Sequence, residues 1–199
     1  MSISLSKEQK VSLAKEVPDG KLENVVVGAG WDPAPAYESS IDCDAYIVIP
    51  ISNGKKKGLF GRSRQQDRYC DMVYFNKPVW KGGLIKHNGD SLTGEGEGDD
   101  ETIDIKLSQL PPEVDRLVCC INIYHAMSKN QNFGMVDNAF IRIADKATGY
   151  EICRFDLKRY GKFTGIIFGE LLKTGDEWEF KAVGKGMNIR DLMETVNYI

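Results

Sequence analysis

The run Gly89-Asp90-Ser91-Leu92-Thr93-Gly94-Glu95-Gly96-Glu97-Gly98-Asp99-Asp100-Glu101 limits the fold more than any other stretch of the chain. Six of its thirteen side chains are carboxylates, and no Lys or Arg falls between Gly89 and Ile105 to neutralise them. Four glycines, Gly89, Gly94, Gly96 and Gly98, are interleaved with the acids. Such a run neither supports a helix nor pairs well as a strand. It is therefore a loop, and left alone it repels itself. A hard cation removes the repulsion: Ca²⁺ takes roughly six to eight oxygens, and glycine lets backbone carbonyls turn inward beside carboxylates. A solvated acidic loop is the alternative reading. The alternate spacing of the glycines is a backbone requirement more than a solubility device, and it favours the metal. The run is not an EF-hand. Counted from Asp90, the third ligand position is Leu92 and the obligatory sixth-position glycine is Glu95; only Glu101 falls correctly, at the twelfth.

A divalent ion needs further oxygens, and Ile41-Asp42-Cys43-Asp44-Ala45-Tyr46-Ile47-Val48-Ile49 offers them. The segment reads as a strand, in which Asp42 and Asp44 point to the same face. Two carboxylates on one face repel unless they share a partner. The bland alternative is a strand-edge charge beside a turn residue. Asn76, at the end of the strand Asp71 to Asn76, either caps a turn or gives a carbonyl oxygen to a metal. His87 precedes the turn dipeptide Asn88-Gly89 and reads as a surface residue. His125 has no nucleophile at recognisable spacing.

Residues Asn53 to Arg68 carry the opposite charge. Lys55, Lys56, Lys57, Arg62, Arg64 and Arg68 stand against a single Asp67, with Leu59 and Phe60 between them. This is a basic insertion at about 53–68. It reads either as a surface loop or as an electrostatic patch for an acidic protein, nucleic acid or anionic membrane.

The remainder describes a mostly β protein. Short alternating or apolar runs recur between turn signals: Ile3–Leu13 with a polar interruption, Leu22–Val27, Ile103–Leu107, Leu117–Tyr124, Ala139–Ile143, Glu151–Leu157, Thr164–Leu172 and Trp178–Val183. Leu192, Met193, Val196 and Ile199 fall at helical spacing and predict a C-terminal helix. Together these read as one domain over 1–199, a β-sandwich of about nine strands with short helices. The net charge of −3 excludes a general nucleic-acid binder. Five cysteines without a CxxC suggest neither a disulfide framework nor structural zinc. With no signal peptide, lipidation signal or membrane-spanning run, the expected location is cytoplasmic.

At these residues the chain resembles the TerD family of tellurite-resistance and bacterial stress proteins. The matching motifs are Ser2-Ile3-Ser4-Leu5-Ser6-Lys7, Val25-Val26-Val27-Gly28 leading to Gly30-Trp31-Asp32, Ile41-Asp42-Cys43-Asp44-Ala45, Val73-Tyr74-Phe75-Asn76, the whole of 89–101, Gln131-Asn132-Phe133-Gly134, Asn138-Ala139-Phe140-Ile141-Arg142 and Phe168-Gly169-Glu170-Leu171. The resemblance implies a β-sandwich with two neighbouring calcium ions and no established enzymatic activity. It also implies a role in stress resistance at the inner face of the membrane, with other tellurite-resistance proteins as partners. Carried over by motif position, the implied ligands are Asp42, Asp44, Asn76, Asp90, Thr93, Gly94, Glu95, Gly96, Asp99, Asp100 and Glu101, with Asp32 as a further candidate. The basic insertion and the segment Met135-Val136-Asp137 depart from the family pattern. The expected function is thus a calcium-binding stress-response protein that acts as a non-enzymatic binding or signalling module. The alternative is a protein- or membrane-interaction module that works through the basic loop, with calcium purely structural.

Overall fold

A computed structural model describes residues 2–17, 20, 22–34, 41–52, 68–92, 98–157 and 161–199. Among the described residues, thirteen strands form two sheets packed face to face. The first sheet is built from β1 (Ile3–Ser4), β11 (Glu151–Asp156), β10 (Val136–Asp145), β3 (Val25–Pro33), β8 (Glu101–Ile105), β7 (Ile85–His87) and β6 (Val79–Trp80), in that spatial order. The second is built from β2 (Lys10–Ser12), β13 (Glu177–Met187), β12 (Gly165–Thr174), β9 (Arg116–Ile123), β4 (Cys43–Ser52) and β5 (Arg68–Val73). Helices are short: α1 (Leu13–Glu16), α2 (Ala126–Lys129) and a few 3₁₀ turns.

The sandwich is as expected, with more strands than the sequence suggests. The excess lies in short strands, β1, β2, β6 and β7, of two or three residues each. Such lengths leave too little room for a period-two signature. The run Ile3–Leu13 is not one interrupted strand. β1 pairs in parallel with β11 of one sheet and β2 pairs antiparallel with β13 of the other. The polar interruption is the crossing point, and Leu13 opens α1.

β3 is also longer than its apolar centre predicts. Val25, Val27, Ala29 and Trp31 face the buried core, while Gly28 and Gly30 take the alternate positions on the outer face. The glycines do not end the strand. They clear space on its outer side, Gly28 for the Asp99 carboxylate and Gly30 for the Phe140 ring and the Gly98 carbonyl.

The core between the sheets collects Ile47, Ile49, Ile103, Ile105, Leu117, Ile121, Ile141, Ile143 and Phe168, all essentially removed from water. Each side chain of this size buried from water contributes about 1.5–3 kcal/mol. A smaller cluster covers the outer face of the second sheet, where Tyr46, Val48, Met72, Val118, Cys120 and Ile167 meet Met187, Ile189 and Leu192. The C-terminal segment that completes it is a 3₁₀ helix over Leu192–Asn197, not an α-helix. Leu192 packs inward, but Met193 and Val196 are exposed. The anchor is polar: the fully buried Thr195 hydroxyl shares a 2.6 Å hydrogen bond with the Tyr46 hydroxyl. Cys43, Cys119, Cys120 and Cys153 are buried free thiols. Among the described residues, no helix is long and apolar enough to cross a membrane.

Candidate metal centre

Glu101 opens β8 opposite Ala29 of β3, so its side chain shares Ala29's core-facing side of the first sheet. The residue is 1% exposed. A buried carboxylate is costly unless its oxygens are used. Oε2 accepts from the backbone N–H of Ala45, on β4 of the opposite sheet, at 2.7 Å. Oε1 accepts from the Ser91 N–H at 3.2 Å. His87 Nε2 lies 3.3 Å from Oε2. Because His87 Nδ1 accepts from the Gly89 N–H, the ring proton sits on Nε2 and is donated to Glu101. Burial raises the Glu101 carboxyl above its ordinary value, and these hydrogen bonds oppose the rise.

Asp44 approaches from the second sheet. It sits on β4 opposite Asn122 of β9, and Asn122 Nδ2 donates to Asp44 Oδ2 at 3.3 Å. Asp44 is buried, whereas Asp90, in the loop after β7, is exposed. One carboxylate oxygen from each of Asp44, Asp90 and Glu101 falls within 4.8 Å of the other two. Like charges at such distances repel by about 3 kcal/mol per pair at an effective dielectric constant of about 20. The strain registers on Asp44, whose carboxyl is pushed up to about 8, first by burial and then by the charges of Glu101, Asp42 and Asp90. Among the described residues, no lysine or arginine forms an ion pair with Asp42, Asp44, Asp90 or Glu101.

Two buried oxygens beside this cluster have no hydrogen-bond partner: Asp42 Oδ1 and Asn122 Oδ1. Buried polar atoms are rarely left unsatisfied. Burial also raises the half-buried Asp42, with Asp90 adding to the rise and Lys129 and His125 opposing it. The donors are all oxygens, three of them carboxylate groups aimed at one point. That set fits a hard divalent cation of the calcium type better than zinc or copper, which favour nitrogen and sulfur.

The remaining acids of the loop lie elsewhere. Asp99 makes a two-pronged ion pair with Arg142 of β10: Nε to Oδ1 and Nη2 to Oδ2, each 2.6 Å. Asp100 extends the β3 ladder. Its N–H donates to the Ala29 carbonyl at 2.9 Å, and its Oδ2 accepts from the Trp31 N–H at 2.8 Å. It borders a cavity of about 270 Å³ lined also by Trp31, Asp32, Gly98, Asn138, Phe140 and Arg154. Burial raises the Asp100 carboxyl, the Trp31 bond opposes this, and the charges of Asp32 and Asp99 add to it. Asp32 is held by the Asn138 side-chain amide at 2.9 Å.

The predicted ligands thus separate. Asp44, Asp90 and Glu101 converge, with Asp42 beside them. Asp99 and Asp100 are engaged with Arg142, β3 and the cavity. Asn76 is exposed in the turn after β5. Thr93, Gly94, Glu95 and Gly96 lie outside the described residues, as do Lys55, Lys56, Lys57, Arg62 and Arg64; Arg68 opens β5. Two polar residues at the site were not expected. His87 is buried, not a surface residue. Its alternation with Ile85 placed it on the inner face all along. Asn122, a lone amide inside the apolar run of β9, carried a comparable signal.

A two-sheet sandwich that gathers carboxylates from both sheets and an acidic glycine loop at one end defines a class, and comparison with known proteins gives that class its name. The TerD domain family matches residues 1–197. The tellurium resistance protein TerD of Serratia marcescens is 39% identical over 187 residues, covering 94% of this chain and 91% of that one. The stress response protein SCP2 of Bacillus subtilis (strain 168) is 36% identical over 214 residues, covering 99% and 98%. A crystal structure of a Streptomyces coelicolor A3(2) homologue of the telluride resistance protein shares the fold at a TM-score of 0.64 and 22% identity, covering 87% of this chain and 95% of that one. The chain belongs to the TerD family of tellurium-resistance and stress-response proteins.

Proposed function

We propose that this protein binds calcium and serves the stress response as a binding or signalling module, not as a catalyst. The observation that carries the reading is the convergence of Asp44, Asp90 and Glu101, with unpartnered oxygens of Asp42 and Asn122 at its border. An ion at this point would neutralise repelling carboxylates and join β4 of one sheet to β8 of the other. Two ions are expected per chain, the second drawing on other oxygens of the acidic loop. The groups that converge offer carboxylate oxygens, and the chemistry this donor set supports is coordination. Calorimetric titration of the metal-free protein with Ca²⁺ tests this. The expected dissociation constants lie in the order of 10⁻⁸ to 10⁻⁵ M, and at a thousandfold excess over such a constant the fold gains about 4 kcal/mol. No heat and no rise in melting temperature would remove the proposal.

A second reading places the working surface on the basic segment, with calcium structural. It is favoured by topology. Ser52 and Arg68 are register partners at the far end of the β4–β5 hairpin. Asp44 stands at the near end, eight residues away along β4, or about 26 Å at the usual rise of a strand. The two features are separable. Replacing residues 53–67 by a short turn is expected to leave calcium affinity within about twofold and to abolish binding to partners, whether other tellurite-resistance proteins or the inner membrane face. Unchanged partners in a pull-down from the native host would count against it.

A further inference from the structure

We propose that Arg142 is a positioning residue for the calcium loop. It clamps Asp99 over Gly28 on the outer face of the first sheet, so that Asp99 is the loop's anchor and not a ligand. The inference rests on the reading of Asp44, Asp90 and Glu101 as the calcium site.

Gly28 and Arg142 are register partners on β3 and β10, and their neighbours Val27, Ala29, Ile141 and Ile143 fill the core. Gly28 and Arg142 therefore share the outer face. A Cβ on Gly28 would land inside the Asp99 carboxylate, so the glycine is the seat into which that carboxylate fits. The Asp99 side chain is only 7% exposed, and both of its oxygens are taken by one guanidinium fork. Such a fork is geometrically matched to a carboxylate and keeps its charge at any working pH. Arg142 is steadied by Glu151, 3.8 Å away on β11. With one guanidinium bond already on each oxygen, coordination by Asp99 would have to use the remaining lone pairs, and a fixed positive charge beside the ion would oppose it.

The anchor acts one and two residues further on. Gly98, at φ 104°, brings the chain onto the sheet in a conformation that favours glycine. Asp99 locks there, Asp100 joins the β3 ladder, and Glu101 then enters β8 facing inward. A loop with this density of negative charge would otherwise sample many arrangements in the metal-free state.

The test is calcium titration of the full-length protein carrying Arg142→Met, Arg142→Lys, Asp99→Asn, Gly28→Ala, or Asp99→Asn with Arg142→Met. Groups that orient a ligand from behind typically change metal affinity by about tenfold to a hundredfold. Arg142→Met, Asp99→Asn and Gly28→Ala are each expected to weaken binding about tenfold with unchanged stoichiometry. The double variant should be no weaker than either single, and Arg142→Lys should recover part of the loss. If Asp99 is a ligand instead, Asp99→Asn will cost far more than Arg142→Met, and Arg142→Met will tighten binding by removing a nearby cation. Either result overturns the proposal. Amide hydrogen exchange of the metal-free protein tests the anchor independently. The Asp100 N–H should exchange faster by about tenfold in Arg142→Met and Asp99→Asn, and unchanged exchange overturns the anchor. Failure of the wild type to bind calcium would overturn the reading of the site, while the exchange measurement would still judge the clamp.

Discussion

The Asp44 carboxyl ties the site's electrostatics to pH. In the metal-free protein it is held up to about 8 by burial and by Glu101, Asp42 and Asp90. A carboxyl whose folded value lies above its unfolded one favours folding while protonated, and that contribution is lost as pH rises toward the folded value. The metal-free protein should therefore lose stability between about pH 4 and pH 8, by an amount on the order of a few kcal/mol. Saturating calcium should remove the decline, because the ion replaces the proton. For the same reason calcium affinity should rise from pH 6 to pH 8, with proton release visible as a dependence of the binding heat on the buffer. Asp44→Asn should raise the metal-free melting temperature at pH 8 and cancel its calcium response. An affinity flat across this range would contradict the assignment of Asp44.

At the scale of elements, the strands that could be read from sequence are those with long alternation or an unbroken apolar run. β9 and β12 show themselves by composition, and β13 by its period. β3 was half legible. Its apolar centre announced a strand, but Gly28 and Gly30 read as its end, because what replaces their side chains comes from Asp99, Gly98 and Phe140, far away in the sequence. Pairing partners of this kind leave no local trace. The acidic loop was legible as a candidate cation site because charge and glycine are local properties. Its division into Asp90 and Glu101 on one side of the sheet and Asp99 on the other was not, since Arg142 is invisible as a partner without the register of β3 and β10. Gly30→Ala probes the same packing from β3. Its Cβ would collide with the Phe140 ring and the Gly98 carbonyl, so the variant should lose about 1–3 kcal/mol in chemical denaturation. A loss below a few tenths would mean that the loop end is not seated as described.

Seen as a whole molecule, the sandwich has its acidic cluster at one end of β4 and the last register pair of the β4–β5 hairpin at the other. At one end Glu101 of the first sheet bonds Ala45 of the second, and Asp44 and Asp90 complete the gathering. At the other, Ser52 and Arg68 pair and bound the basic stretch of the sequence, which lies outside the described residues. The central claim is that an ion sits between Asp44, Asp90 and Glu101. Anomalous diffraction from crystals of the calcium-loaded protein tests it most directly. A strong peak is expected within coordination distance of all three carboxylates, with Asp99 still paired to Arg142. No peak at that point, or a calcium-bound structure in which Asp99 has left Arg142 to become a ligand, would contradict it.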